Sequence, residues 1–398
     1  MRQTPSSVNQ DPWMTPTHTD LEELTHEDLA FLDENRFDHK IFKQLREELI
    51  QGQRHAGSNL VTSLLHAPRA DDLTPWPTSN RLARVLAAGH DQCNSGNIGI
   101  VILNGGMATR FGHVVKGAIE IAPGLSLIGL RLALTAQASP NIPIFVMNSF
   151  ATAKATQEHL EANHYFGVDP NQVHLLTQSI SLRLDPSGNI FRTPDGRISP
   201  YAPGHGDVFE TLAHAPAFRE FVAKGGKSIM ISNVDNPVAT LNPAVIGMHL
   251  NQGHAVTVEV TDRRAGETGG SPAWLDGRLC VVEGFRFPPT FDQTQFSVFN
   301  TNTITIDVGA VRAQPLNWYY VEKKVDGHTV IQFERLMGEI TSFVSSAYLR
   351  VPRSGSQNRF LPIKTPEDLP EARTVVAEFI EGRRLGWASR GLASHSAA

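Results

Sequence analysis

Four short stretches of the sequence gather residue types suited to anion and metal chemistry. In "ILNGGMATRFGHVVKG", Ile102–Gly117, Gly105 and Gly106 let backbone N–H groups approach a ligand, and Arg110 adds a fixed positive charge. The loop is neither a P-loop, since no GK[ST] closes it, nor the dinucleotide fingerprint, since its glycines are in the wrong register. In "PGHGD", Gly204 and Gly206 flank His205 and leave room for a ligand to pass close to the backbone. In "SIMISNVDNP", Asp235 follows an apolar run, where a carboxylate holds Mg²⁺ against phosphates as readily as it opens a turn. "VEKKVDGHTVIQFE" places Lys323 and Lys324 side by side, and on a strand only one of the two faces a given side.

The elements that must carry these loops follow from hydrophobic pattern. From Asn97 onward, short β-rich runs ("IGIVIL", "IPIFVMN", "QVHLLTQ", "SIMISNV", "AVTVEV") alternate with helical stretches such as "TAKATQEHLEANH" and "NPAVIGMHLNQG". This is the pattern of βαβ units around a mostly parallel, buried sheet, whose ligands sit beyond the carboxyl ends of the strands. "FSVFNTNTITIDV" and "HTVIQFE" add strands that pair antiparallel. Before the sheet, three-and-four spacing over residues 19–52, with Thr25 and Glu27 near its start, predicts a helical section. After it, "EARTVVAEFIEGRRLGWA" has helical spacing again. The expected organisation is a helical N-terminal region at 1–95 with a flexible start, a catalytic domain at 96–369, and a short helical segment and flexible tail at 370–398.

With 398 residues, 40% of them hydrophobic, the chain is long enough for a large core. A formal charge of −5 from interspersed residues, with no basic block, excludes a polymeric nucleic-acid footprint. Cys93 and Cys280 are the only two cysteines and lack metal-type spacing, so neither a disulfide framework nor a zinc site is expected. The start has no signal-peptide pattern and no apolar run spans a membrane, which points to a soluble, cytoplasmic protein.

"LNGGMATRFG" with Lys116 and Glu120, then "VMNSFAT", "PGHGDVFETL", "SNVDNPVATLNP", "EVTDRRAGETGG", "FNTNTITID", "EKKVDGHTVIQFE" and "RFLPIKTPEDL", resemble in order the motifs of UTP:glucose-1-phosphate uridylyltransferases of the UDP-glucose pyrophosphorylase type. The resemblance implies a Rossmann-like mixed α/β sheet and a Mg²⁺-dependent reaction. In that reaction a phosphate oxygen of a sugar 1-phosphate attacks the α-phosphorus of UTP and pyrophosphate leaves. It implies that Leu103, Asn104, Gly105 and Gly106 contact the nucleotide, with Arg110 beside them. Lys116 and Lys323 would neutralise phosphate charge, and Asp235 would hold the metal. Gln178 would read the uracil and Gly204 the base. His205 and Asn233 would face the sugar phosphate, while Glu259, Gly270 and Asn302 would meet sugar hydroxyls. Lys364, in "RFLPIKT", is a further charge for the site or for the structure.

Departures from the family pattern are Ala108, a path to Lys116 one residue shorter than usual, and only about thirty residues after "FLPIKT", where the family continues into a β-helical assembly region. Oligomers through such a region are not expected. Glucose 1-phosphate is the expected acceptor. The alternatives are the same chemistry on galactose, an N-acetylhexosamine or a specialised sugar, or a catalytically weak nucleotide-binding regulatory relative.

Overall fold

The computed structural model describes residues 24–106, 114–264, 266–267, 269–312 and 316–382. The chain divides into two compact units. The smaller draws on the described residues up to Ser58, on Ile180–Tyr201 and on Tyr320–Phe333. The larger takes the described residues of Asn59–Ser179 and Ala202–Tyr319 and those from Glu334 on. This differs from the expected division at residue 95, because residues 59–95 belong with the sheet.

In the smaller unit, helix α1 (His26–Glu34) starts at a capping box that Thr25 closes with Asp28, and α2 (His39–Ile50) is capped by Asp38. The buried Arg46 of α2 donates from Nε to the carbonyl of Gly188 at 2.7 Å. Strands Tyr319–Val325 and His328–Glu334 form a two-stranded sheet whose turn, Asp326–Gly327, has φ of +49° and +81°. A two-residue Asp-Gly turn with both φ positive matches the twist of a hairpin. "HTVIQFE" therefore pairs locally, with its own neighbour.

The larger unit is built on seven strands: β1 (Ile98–Asn104), β2 (Ile144–Asn148), β3 (Val173–Thr177), β4 (Ser228–Asn233), β5 (Val256–Asp262), β6 (Val298–Asp307) and β7 (Ser346–Arg350), in the order β7-β5-β6-β4-β1-β2-β3. All neighbours run parallel except β6, which is antiparallel to both β4 and β5. The mixed α/β fold is the expected one. Every residue of β1 and β2 is buried, as a sheet covered on both faces requires. Alternate side chains go to opposite faces. Val101, Leu103, Phe145 and Ile231 pack against α6 (Val208–His214) and α7 (Pro216–Ala223), while Ile100, Ile102, Val146 and Met230 pack against α4 (Leu127–Ala138), α5 (Ala153–Ala162) and α9 (Leu369–Gly382). Among the described residues, no helix is long and apolar enough to cross a membrane.

Helix α3 (Ser79–Asn94) joins this unit through an unusually close crossing with α8 (Pro243–Gln252). A Cβ added to Gly247 would lie 1.8 Å from the Val85 carbonyl oxygen, and one on Gly89 would lie 1.9 Å from that of Pro243. Since the obstructing atoms are backbone, Gly247→Ala must push the helices apart. It should cost about 1–3 kcal/mol and lower the melting temperature. Gly309→Ala, where an added Cβ meets nothing within 4 Å, should leave it unchanged. Equal thermal melts for the two variants would show that the crossing is not constrained in this way.

Candidate active site

The carboxyl edge of the sheet lines up a row of polar side chains. Pairing places Leu103 opposite Asn233, Asn104 opposite Asn148, and Asn148 opposite Thr177. Asn104 is buried and donates from Nδ2 to Asn148 Oδ1 and to Thr156 Oγ1, each at 2.8 Å. Thr152 Oγ1 donates to the Asn104 carbonyl at 3.0 Å, and Ser149 Oγ to the Gly106 carbonyl at 2.8 Å. The "VMNSFAT" motif thus fixes the glycine loop. Gln178 is buried, its N–H donating to the Asn148 carbonyl at 2.9 Å. A Cβ on Gly105 would lie 3.0 Å from Gln178 Oε1, so the loop needs glycine to pass this amide. Ala108 and Arg110 lie outside the described residues.

The PGHGD segment is held from beneath. Asp207, buried, accepts from Ser179 N at 2.8 Å and Ser179 Oγ at 3.0 Å and pairs with Arg335, whose guanidinium stacks 4.5 Å from the centre of the Trp318 ring. Because Ser179 follows Gln178, the same carboxylate sets the position of that amide. The space freed at Gly204 and Gly206 is filled by the chain itself, and this corrects the expectation that it accommodates a ligand. Added Cβ atoms would lie 2.5 Å from the Arg335 carbonyl oxygen and 2.6 Å from its carbonyl carbon. His205 Nδ1 accepts the Met337 N–H at 3.0 Å, leaving the ring proton to Nε2. Burial pushes this imidazole down to about 4, so it is neutral near pH 7.

Asn233 ends β4, and its Oδ1 accepts from Asn302 Nδ2 at 3.0 Å. Asn302 sits in a bulge of β6, with φ of +56°, where pairing jumps from Glu259↔Thr303 to Val260↔Asn300. The bulge turns a side chain that a regular strand would place otherwise, and Asn300 Oδ1 braces it by accepting the Asn302 N–H at 2.9 Å. Two residues on, Asp235 is met by Lys116: Nζ lies 3.0 Å from Asp235 Oδ2 and 3.2 Å from the Ile363 carbonyl oxygen. Residues 358–364 strap this loop. Asn236 donates to the Arg359 carbonyl and accepts from Leu361 N, both at 3.0 Å, and Ile363 N donates to the Asp235 carbonyl at 2.8 Å. The neighbouring Lys364 is exposed.

Glu259 is not available to sugar hydroxyls. It has no exposed surface, and both of its oxygens are taken by Arg359, at 2.6 and 2.7 Å. A carboxylate inside the sheet must be neutralised, and here the partner is internal. Gly270 lies instead beside Glu283: a Cβ on Gly270 would be 2.8 Å from Glu283 Oε2. Burial pushes the Glu283 carboxyl up to about 7, against the pull of Arg286. Lys323 belongs to the hairpin of the smaller unit; Lys324 donates across that hairpin to Thr329 Oγ1 at 2.6 Å, which leaves Lys323 on the other face.

Three residues of this arrangement were not singled out from the sequence. Arg131 is fully buried and donates to Ser232 Oγ at 2.7 Å and to the carbonyls of Asn233 and Asn236, at 3.3 and 3.2 Å. Burial, with the like charge of Arg359, pushes it down to about 9. Its signal was a single arginine inside the apolar run "LIGLRLALT". Arg359 lay in the "RFLPIKT" motif without a role, and Glu283 stood at the end of "RLCVVE", a carboxylate closing an apolar run.

Among the described residues no group of three His, Cys, Asp or Glu converges on one point. One partly exposed carboxylate, Asp235, fits Mg²⁺, which takes one or two carboxylates and leaves the rest to phosphate and water.

Two pH effects of opposite sign follow. The unfolded chain protonates His205 first as pH falls from about 6.5 toward 4, so that contribution is complete above 6.5 and is lost in acid. For Glu283 the folded state holds its proton longer, so stability is lost as pH rises from about 4.5 to about 7. Glu283→Gln, which carries no charge, should gain stability over the unsubstituted protein between pH 5 and pH 8, by at most about 3 kcal/mol. Urea unfolding at the two pH values checks this, and a pH-independent difference contradicts it.

A profile of the family described as UTP–glucose-1-phosphate uridylyltransferase (UDPGP) matches residues 39–384. The protein of that name from Musa acuminata is 28% identical over 306 residues, 72% of this chain and 64% of its own length. That from Solanum tuberosum is 29% identical over 291 residues, 68% and 60%. That from Saccharomyces cerevisiae is 28% identical over 362 residues, 84% and 69%. The chain thus spans 60–64% of the length of these plant relatives. Among solved structures, a UDP-N-acetylglucosamine pyrophosphorylase of Trypanosoma brucei superposes with a TM-score of 0.71 at 20% identity, over 88% of this chain and 80% of that one. A UDP-glucose phosphorylase of the same organism superposes with 0.66 at 24%, over 87% and 78%. Both share the fold.

Proposed function

The chain belongs to the UTP–glucose-1-phosphate uridylyltransferase family, and from that premise we propose that it transfers a uridylyl group from UTP to glucose 1-phosphate, releasing pyrophosphate. A phosphate oxygen of the sugar 1-phosphate forms a bond to the α-phosphorus, and the bond from that phosphorus to the bridging oxygen of pyrophosphate breaks. No protein nucleophile is required. The reaction asks for positioning and for neutralisation of spread negative charge, and the observation that carries the reading is the meeting of Lys116 and Asp235 beside the Asn233–Asn302 pair at the carboxyl edge. The glycine loop, through the backbone of Leu103–Gly106, and Gln178 receive the nucleotide, the amide offering donor and acceptor to uracil. Arg110 and Lys116 neutralise its phosphates. His205 is assigned to the sugar phosphate.

On the sugar side, Asn302 holds Asn233, and Glu283 faces Gly270 as the carboxylate available in place of Glu259. Glu259 acts through Arg359 as a positioning residue. Bound at Asp235, Mg²⁺ would draw charge off the phosphates. A reducing cytoplasm is the setting we assign, in keeping with two buried free cysteines.

Glucose is favoured because the curated relatives carry it in their names. Purified protein with UTP, Mg²⁺ and a panel of sugar 1-phosphates should release pyrophosphate, with the highest kcat/KM for glucose 1-phosphate. Release with none of them would end the enzyme reading, and a preference for another sugar would end the glucose assignment. Asp235→Ala should lower turnover by a factor of about 100 or more, whereas undiminished activity would remove its role. Asn302→Ala should lower kcat/KM about tenfold or more, with most of the loss in KM for the sugar phosphate; an unchanged sugar KM would place Asn302 away from the acceptor.

A further inference from the structure

Lys116 and Asp235 come from distant parts of the chain and meet in a closed ring of contacts. The ammonium touches Asp235 Oδ2 at 3.0 Å and the Ile363 carbonyl at 3.2 Å, while Ile363 N donates to the Asp235 carbonyl at 2.8 Å. The two side chains are 25% and 23% exposed, so the pair is held in a partly desolvated place where a nearby charge counts for more than at an open surface. In this structure the one carboxylate assigned to the metal already has a cation, supplied by the residue assigned to the phosphates.

Mg²⁺ gives up water reluctantly and needs about six oxygens. A carboxylate shared with an ammonium 3.0 Å away is a poor first ligand, since the incoming ion meets that positive charge before it meets other oxygens. A triphosphate changes both terms, because its oxygens complete the metal's ligands and give the ammonium another anion. Building on the uridylyltransferase reading, we propose that the Lys116–Asp235 pair is an exchange lock. It keeps divalent cation off the free protein. Lys116 passes from carboxylate to phosphate when metal and nucleotide enter together.

The test uses the full chain and Mn²⁺ as the probe, its binding read from loss of the free-ion electron paramagnetic signal, with no sugar present. Without nucleotide, Lys116→Met should bind Mn²⁺ at least about tenfold more tightly than the unsubstituted protein, and Lys116→Arg, which keeps the charge, should not. Adding Asp235→Asn to Lys116→Met should erase the gain. Equal Mn²⁺ affinity in the unsubstituted protein and Lys116→Met overturns the lock, as does a gain that survives Asp235→Asn. Lys116→Gln replaces the methionine variant if circular dichroism shows the latter unfolded. A separate arm measures UTP binding to the unsubstituted protein by calorimetry with Mn²⁺ present. Absence of UTP binding there overturns the functional reading, whereas UTP binding together with tight nucleotide-free Mn²⁺ binding overturns only the lock.

Discussion

The candidate site rests on a buried charge pair. Glu259 and Arg359, both without exposed surface, form a two-pronged ion pair in the middle of the larger unit, and Arg359 adds a hydrogen bond to the Thr240 carbonyl at 2.6 Å. Such a pair contributes little net stability, because desolvation offsets its attraction, but losing one partner leaves an uncompensated charge that costs about 3–5 kcal/mol. It therefore acts as a constraint on geometry. Through it β5 is tied to the strap at 358–364, and through Asn236 and Ile363 the strap is tied to the loop carrying Asp235. Arg131 supports the same loop through the carbonyls of Asn233 and Asn236.

Of the two buried guanidinium groups, Arg359 grips the Glu259 carboxylate, and Arg131 donates to Ser232 Oγ and to the carbonyls of Asn233 and Asn236. The lowered proton affinity of Arg131 is the electrostatic consequence, coming from burial first and from Arg359 second. The loop bearing Asn233 and Asp235 is held by Arg131 and by the strap, while Lys116 and Asn302 meet its side chains.

Much of the fold was legible because its signals are local. The runs "IGIVIL", "IPIFVMN" and "SIMISNV" became the central strands, since continuous apolar character over so few residues suits a strand covered on both faces. Asp235, Asn233 and Gln178 fell at strand ends for the same reason. What a neighbour absorbs was not legible. Glu259 ends an apolar run as Asp235 nearly does, yet one carboxylate is consumed by an arginine a hundred positions away and the other meets a lysine at the edge. The glycines of PGHGD signal close approach, but their residue type does not say whether the approaching atoms belong to a ligand or, as here, to Arg335. Residues 59–95 read as part of a helical preface, whereas the α3–α8 crossing that binds them to the sheet depends on glycines more than 150 positions apart.

On this account the buried Glu259–Arg359 pair positions the proposed nucleotide site. Arg359→Lys tests it most directly: lysine keeps the charge in the core but not the planar fork that grips both Glu259 oxygens. Calorimetric titration of UTP in the presence of Mg²⁺ should then show affinity reduced by about tenfold or more, in a variant whose far-ultraviolet circular dichroism is unchanged. Unaltered UTP affinity in that folded variant would contradict the claim.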